Sequence, residues 1–87
     1  MNKKELQDRL KTFAIAIVRF AESLPDTPGL RTVKNQIVRS ATSSAANYRA
    51  ACRSRSKAEF ISKIKIVEEE SDESQFWIEL LIESGIV

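Results

Sequence analysis

The chain has 87 residues, 43% hydrophobic and 30% charged, with two Gly, two Pro and a formal net charge of +2; so few breakers favour long helices over many short strands. No apolar run approaches the roughly 18 residues of a membrane span, and the charged stretch from Met1 to Lys11 lacks the apolar core of a secretion signal. Cys52 is the single cysteine, which rules out an internal disulfide and makes a reducing, cytoplasmic home the default, with Cys52 itself a small buried hydrophobe.

The first element is a helix over about residues 3–24. Leu6, Leu10, Phe13, Ile17, Phe20 and Leu24 recur at alternating steps of four and three, the stripe of a helix that packs along its whole length. Ala14 and Ala21 widen the stripe without adding bulk. Pro25 to Gly29 break the pattern, and Thr27 before Pro28 reads as an N-cap with proline at the first helical position.

The second helix covers about residues 28–52, with Leu30, Val33, Ile37, Ala41, Ser44, Tyr48 and Ala51 on one face. Its middle, Ser40 to Ala46, is made entirely of small residues, which let a neighbouring helix approach closely. The alternative, a Ser-rich loop, is weakened by the absence of Gly and Pro. Asn47, set among alanines, reads as a hydrogen-bonding core group.

After a connection at Arg53–Arg55, Ser56-Lys57-Ala58-Glu59 forms a capping box that opens a third helix over about 57–84, stopped by Gly85. Glu59 and Lys63 are spaced as an i,i+4 ion pair. At 100° per residue, Phe60, Ile64, Val67, Ile78 and Ile82 share a stripe centred on Ser71 and Ser74, the expected place for the small residues of the second helix to press in. Ile66, Phe76, Trp77 and Leu80 form a second apolar group on nearly the opposite side, expected, with Glu69 and Glu73, to meet another subunit. These elements make a single all-α domain over residues 1–87, an up-and-down antiparallel helical bundle. A domain this small buries only roughly 60–65% of its unfolded surface, and self-association would relieve that.

The sequence contains no histidine, the commonest general base and metal ligand. It has no CxxC pair, no Gly-rich phosphate loop and no Ser/His/Asp set, so the expectation is a protein with no catalytic residue, cofactor, metal or small-molecule substrate. Charge is unevenly spread. From Arg31 to Lys65 there are nine Lys or Arg and one acid, while from Ile66 to Val87 there are seven acids and no base. The acidic run Glu68, Glu69, Glu70, Asp72, Glu73 could in principle bridge metal ions, but di-iron bundles use Glu-x-x-His pairs on facing helices. The remaining readings are a solvated ridge, or acids docking on the arginine-rich middle of the same chain or of a neighbour. Among Arg39, Arg49, Arg53, Arg55, Lys57, Lys63 and Lys65, the first five are the candidates for contact with RNA or DNA phosphates; the competing readings are a solvated surface and a docking site for the acidic ridge. Only Tyr48 lies near enough in sequence to stack on a base.

Three segments, Gln36-Ile37-Val38-Arg39-Ser40-Ala41, Ser44 to Ala50 and Arg55 to Ile61, resemble the bacterial four-helix-bundle proteins first met as products of intervening sequences in large-subunit ribosomal RNA genes. Lys65 to Ser74 with Phe76 to Leu81 is similar to one branch of that family, and the match runs from about Leu6 to Val87. The resemblance implies a homopentameric ring of helical bundles with no known catalytic activity, and structural roles for Asn47, Arg55-Ser56 and Glu59-Phe60. The accessory protein of diversity-generating retroelements is similar in fold and binds nucleic acid through basic surfaces. The resemblance also implies a fourth helix beyond the Gly85 turn, where this sequence ends. Three helices alone would leave an apolar groove for a neighbouring subunit to cover. The expected function is that of a non-enzymatic, self-assembling bundle that binds RNA or DNA through its basic patch. The alternative is a protein-interaction scaffold without nucleic-acid contact.

Overall fold

A computed structural model describes residues 1–87. Three helices, α1 (Lys3–Ser23), α2 (Pro28–Ala51) and α3 (Lys57–Glu83), account for nearly the whole chain, and there are no strands. Each ends one residue before its expected end. Local chemistry sets the starts. The Asn2 side chain accepts from the Glu5 N–H, Thr27 Oγ1 from the Leu30 N–H, and Ser56 Oγ from the Glu59 N–H, each satisfying a donor with no partner inside the helix. Pro28 occupies the first turn of α2. Gly85, at φ +80°, ends α3 in a conformation that costs glycine little. The capping box is completed one residue early: Glu59 Oε2 accepts from the Arg55 N–H at 3.4 Å, not from Ser56. Glu59 consequently forms no ion pair with Lys63.

Short connections make neighbours antiparallel, giving an up-down-up bundle of 44 × 20 × 18 Å. α2 is the central helix. α1 packs on one flank and α3 on the other, and the backbones of α1 and α3 do not pack on each other. The core cluster is Ile17, Leu30, Ile37, Ala41 and Leu81, with Phe13, Phe20, Leu24, Val33, Trp77 and Ile78 packed against it. It lies toward the end of the bundle where α1 turns into α2 and α3 terminates. The close approach expected of the small residues is present: Ser40, Ser44 and Ser74 are buried, and Ser74 Oγ donates to Ser40 Oγ at 2.9 Å across the α2–α3 contact. The remaining hydroxyl capacity turns to the helix backbone, with Ser40 donating to the Ile37 carbonyl and Ser44 to that of Ala41. The polar atoms of this seam are therefore satisfied without water.

α3 differs from expectation in its rotation. Ser74 faces α2, but Ser71 is exposed; Leu81 is fully buried, while Ile82 is 56% exposed. Trp77, expected to face another subunit, lies against the core cluster. The stripe that meets α2 thus runs through Ser74 and Leu81, turned away from the Ser71–Ile82 side.

Candidate nucleic-acid interface

Arg49 stands in the last turn of α2, and Arg53 follows in the turn just beyond the helix end. The following connection brings Arg55 beside them. Together with Ala46, Ala50 and Glu59 they line one open depression of about 450 Å³. A second depression of about 510 Å³ shares Ala46, Arg49 and Arg53 with the first and continues across α2 to α1, where Lys4, Gln7, Asp8 and Lys11 form its far wall. Its floor is Ala14, Thr42, Ala45 and Ala46. Small residues on α2, which bring helices close elsewhere, here leave a hollow between basic side chains.

Electrostatics separates the arginines into two groups. Arg39 is engaged within the chain: Nη1 donates to Glu70 Oε2 at 2.9 Å and Nη2 to Glu73 Oε2, tying α2 to α3. Arg49, Arg53 and Arg55 take part in none of the four ion pairs of the chain, and all three are exposed. Unpaired guanidinium groups with their donors in water are poised for bidentate contact with phosphate. Lys57, exposed at the start of α3, lines neither depression. The acids Glu68, Glu69 and Asp72 line a separate surface with Lys65, so of the acidic ridge only Glu70 and Glu73 reach an arginine. No group of three or more His, Cys, Asp or Glu side chains is arranged to hold a metal ion.

Tyr48 is buried, at 6% exposure, and so cannot stack on a base. Burial raises its pKa above the ordinary 10.0, and the neighbouring Cys52 side chain pushes it the same way. Asn47 Nδ2 donates to the Ser43 carbonyl and Ser43 Oγ at 2.9 and 3.1 Å, a hydrogen-bonded role inside α2. Of the residues expected at a subunit interface, Glu69 and Phe76 are exposed and Ile66 and Leu80 half-buried; Glu73 and Trp77 are used within the chain. Phe76 packs edge-on against Trp77, with centroids 4.9 Å apart.

The α1 wall, Lys4 and Lys11, is absent from the basic residues that the sequence singles out, the first of which is Arg39. A signal for it existed. An antiparallel hairpin turning at Pro25–Thr27 sets residues equally distant from the turn opposite one another, which brings Lys4 within about one residue of the level of Arg49 and Lys11 within about one residue of that of Thr42.

No helix is long and apolar enough to cross a membrane. The sequence model of a family described as 23S rRNA-intervening sequence protein matches residues 3–87. No curated protein matches the chain. Among solved structures, a protein of unknown function from the S23 ribosomal protein family of Bacteroides thetaiotaomicron VPI-5482 is 34% identical and superposes with a TM-score of 0.91. The alignment covers all of this chain and 78% of that one.

Proposed function

This chain belongs to the 23S rRNA-intervening sequence protein family, and we propose that it acts as a non-enzymatic, self-associating helical bundle that holds nucleic-acid phosphates at its basic end. The observation that carries this reading is the convergence of Arg49, Arg53 and Arg55 on one open depression, opposed by a single acid, Glu59, and paired to nothing in the chain. Cations left free in a concave surface attract a polyanion and release its counterions. The burial of Tyr48 leaves the depression without an aromatic side chain, which favours phosphate contact over base recognition.

Self-association is supported by the amount of uncovered surface. The chain exposes 5950 Å², where a compact folded monomer of its mass exposes about 5200 Å². The excess follows from α1 and α3 flanking α2 without closing on each other, and from Phe76 and Ile82 remaining more than half exposed. A second copy would cover such surface. In the alternative reading, a scaffold without nucleic-acid contact, the Glu68–Glu69–Asp72 surface of one copy neutralises the arginines of the next.

Fluorescence anisotropy of labelled RNA and duplex DNA tests the proposal. The parent should bind, and Arg49→Glu/Arg53→Glu/Arg55→Glu should lose binding while retaining its helical circular dichroism. Equal binding by parent and variant, or no binding by the parent at low salt, would contradict it; absence of binding in a protein that still self-associates would favour the scaffold.

A further inference from the structure

We infer that α1 completes the basic site: Lys4 and Lys11 face Arg49 and Arg53 across the groove between α1 and α2, and this groove receives one sugar–phosphate strand of single-stranded nucleic acid without regard to base identity. The inference rests on the nucleic-acid reading above and adds to it a second wall and a ligand class.

Four cations line the same depression of about 510 Å³: Lys4 and Lys11 on α1, Arg49 in the last turn of α2 and Arg53 just beyond it. Lys4 and Lys11 are seven residues apart on α1, about 10 Å along the axis, so they form an elongated wall. The depression shares Arg49 and Arg53 with its neighbour, which adds Arg55. The result is a basic track running from the start of α3, over α2, to α1.

Competing interactions within the groove are weak. Lys11 takes part in none of the chain's ion pairs. Lys4 pairs with Asp8 on its own helix at 2.9 Å, with both side chains more than half exposed; exposed i,i+4 pairs contribute only about 0.3–0.5 kcal/mol. Asp8 is the one acid lining the groove, so the groove keeps an excess of positive charge. At the N-terminal end of α1 the Lys3 side chain reaches toward α3, with Nζ 5.3 Å from the centre of the Phe60 ring. This end of the bundle therefore gathers Lys3, Lys4, Arg49, Arg53 and Arg55, although α1 lies far from the others in sequence.

Shape and composition select the ligand. The groove is concave and lies between two packed helices whose axes are typically 8–10 Å apart. One strand can enter it, whereas a duplex presents two strands on a convex surface and meets only the rims. The floor of Ala14, Thr42, Ala45 and Ala46 leaves room for a backbone, and no aromatic residue lines the groove. Stacking and base-edge readout therefore give way to charge.

The test measures anisotropy of labelled oligo(U), oligo(A) and an RNA duplex of equal length over a range of salt concentrations. The full chain is compared with Lys4→Gln/Lys11→Gln, Lys4→Arg/Lys11→Arg and Arg49→Gln/Arg53→Gln. All four positions are exposed, and circular dichroism confirms that each variant folds. The parent should bind oligo(U) and oligo(A) alike, and more tightly than the duplex. The lysine-to-glutamine variant should bind both more weakly, with a log–log salt slope shallower by about 1.4, since each single-strand phosphate that is no longer neutralised reduces the slope by ~0.7. The arginine version should restore binding. Parental affinity and slope in Lys4→Gln/Lys11→Gln, beside weakened binding in Arg49→Gln/Arg53→Gln, would overturn the α1 wall while leaving the nucleic-acid reading intact. Preference for the duplex, or for one homopolymer, would overturn the ligand class. No binding by the parent would overturn both readings.

Discussion

Arg39 and Arg49 are both exposed arginines of α2, yet their surroundings give them different chemistry. Arg39 spans two carboxylates of α3, and Glu70, whose side chain is only 18% exposed, depends on it most. The arginine itself is 47% exposed, so solvent screens the pair and its contribution stays near that of surface ion pairs. Arg39→Met should therefore cost about 0.5–1 kcal/mol in urea unfolding, and the cost should shrink as salt is raised. Arg49→Met should change stability by no more than about 0.5 kcal/mol, because the folded chain offers that side chain no ionic partner. A larger stability loss at Arg49 than at Arg39 would mean that the division between structural and free arginines is wrong. Docking of the acidic run on the arginine-rich middle was legible in the sequence, but not that Arg39 is the arginine engaged, with Glu70 and Glu73. A carboxylate four residues away on the same helix is legible from spacing, whereas one on a neighbouring helix depends on that helix's rotation.

Rotation is also where α3 departs from its pattern. The ends of the helices were legible because caps are local: Thr27, Ser56 and Gly85 act on backbone groups within a few residues of themselves. The face that α3 turns to α2 was not, because its apolar residues extend nearly all round and periodicity then fixes no single direction. Both Ser71 and Ser74 fitted the expected seam, and only Ser74 lies in it. Substituting each by leucine separates the two. Ser74→Leu forces extra volume against Ser40 and should destabilise by about 1–3 kcal/mol, whereas Ser71→Leu should stay within about 0.5 kcal/mol. Urea midpoints of the two variants measure the difference, and similar losses would contradict the observed rotation. Leu81, the one fully buried large residue of α3, escaped the sequence reading for the same reason. Lys4 and Lys11 escaped because a cluster assembled by an antiparallel hairpin is invisible to any window sliding along the chain.

The whole molecule divides into an end that holds its apolar core and an end that holds the basic groove. The first accounts for folding, though with little to spare: twelve of the 87 residues are buried, and α1 and α3 leave α2 enclosed from its flanks only. Sedimentation equilibrium at micromolar concentration should accordingly give a mass that is a multiple of 9.8 kDa, and a stable monomer would contradict self-association. The cationic end carries the proposed function, and the salt dependence of nucleic-acid binding tests it most directly. A plot of log affinity against log salt for labelled single-stranded RNA should fall with a slope of about −0.7 per phosphate neutralised, and hence near −3 if most of Lys4, Lys11, Arg49, Arg53 and Arg55 make contact. A flat plot, or no binding at the lowest salt, would show that the cations of this end do not hold a phosphate backbone.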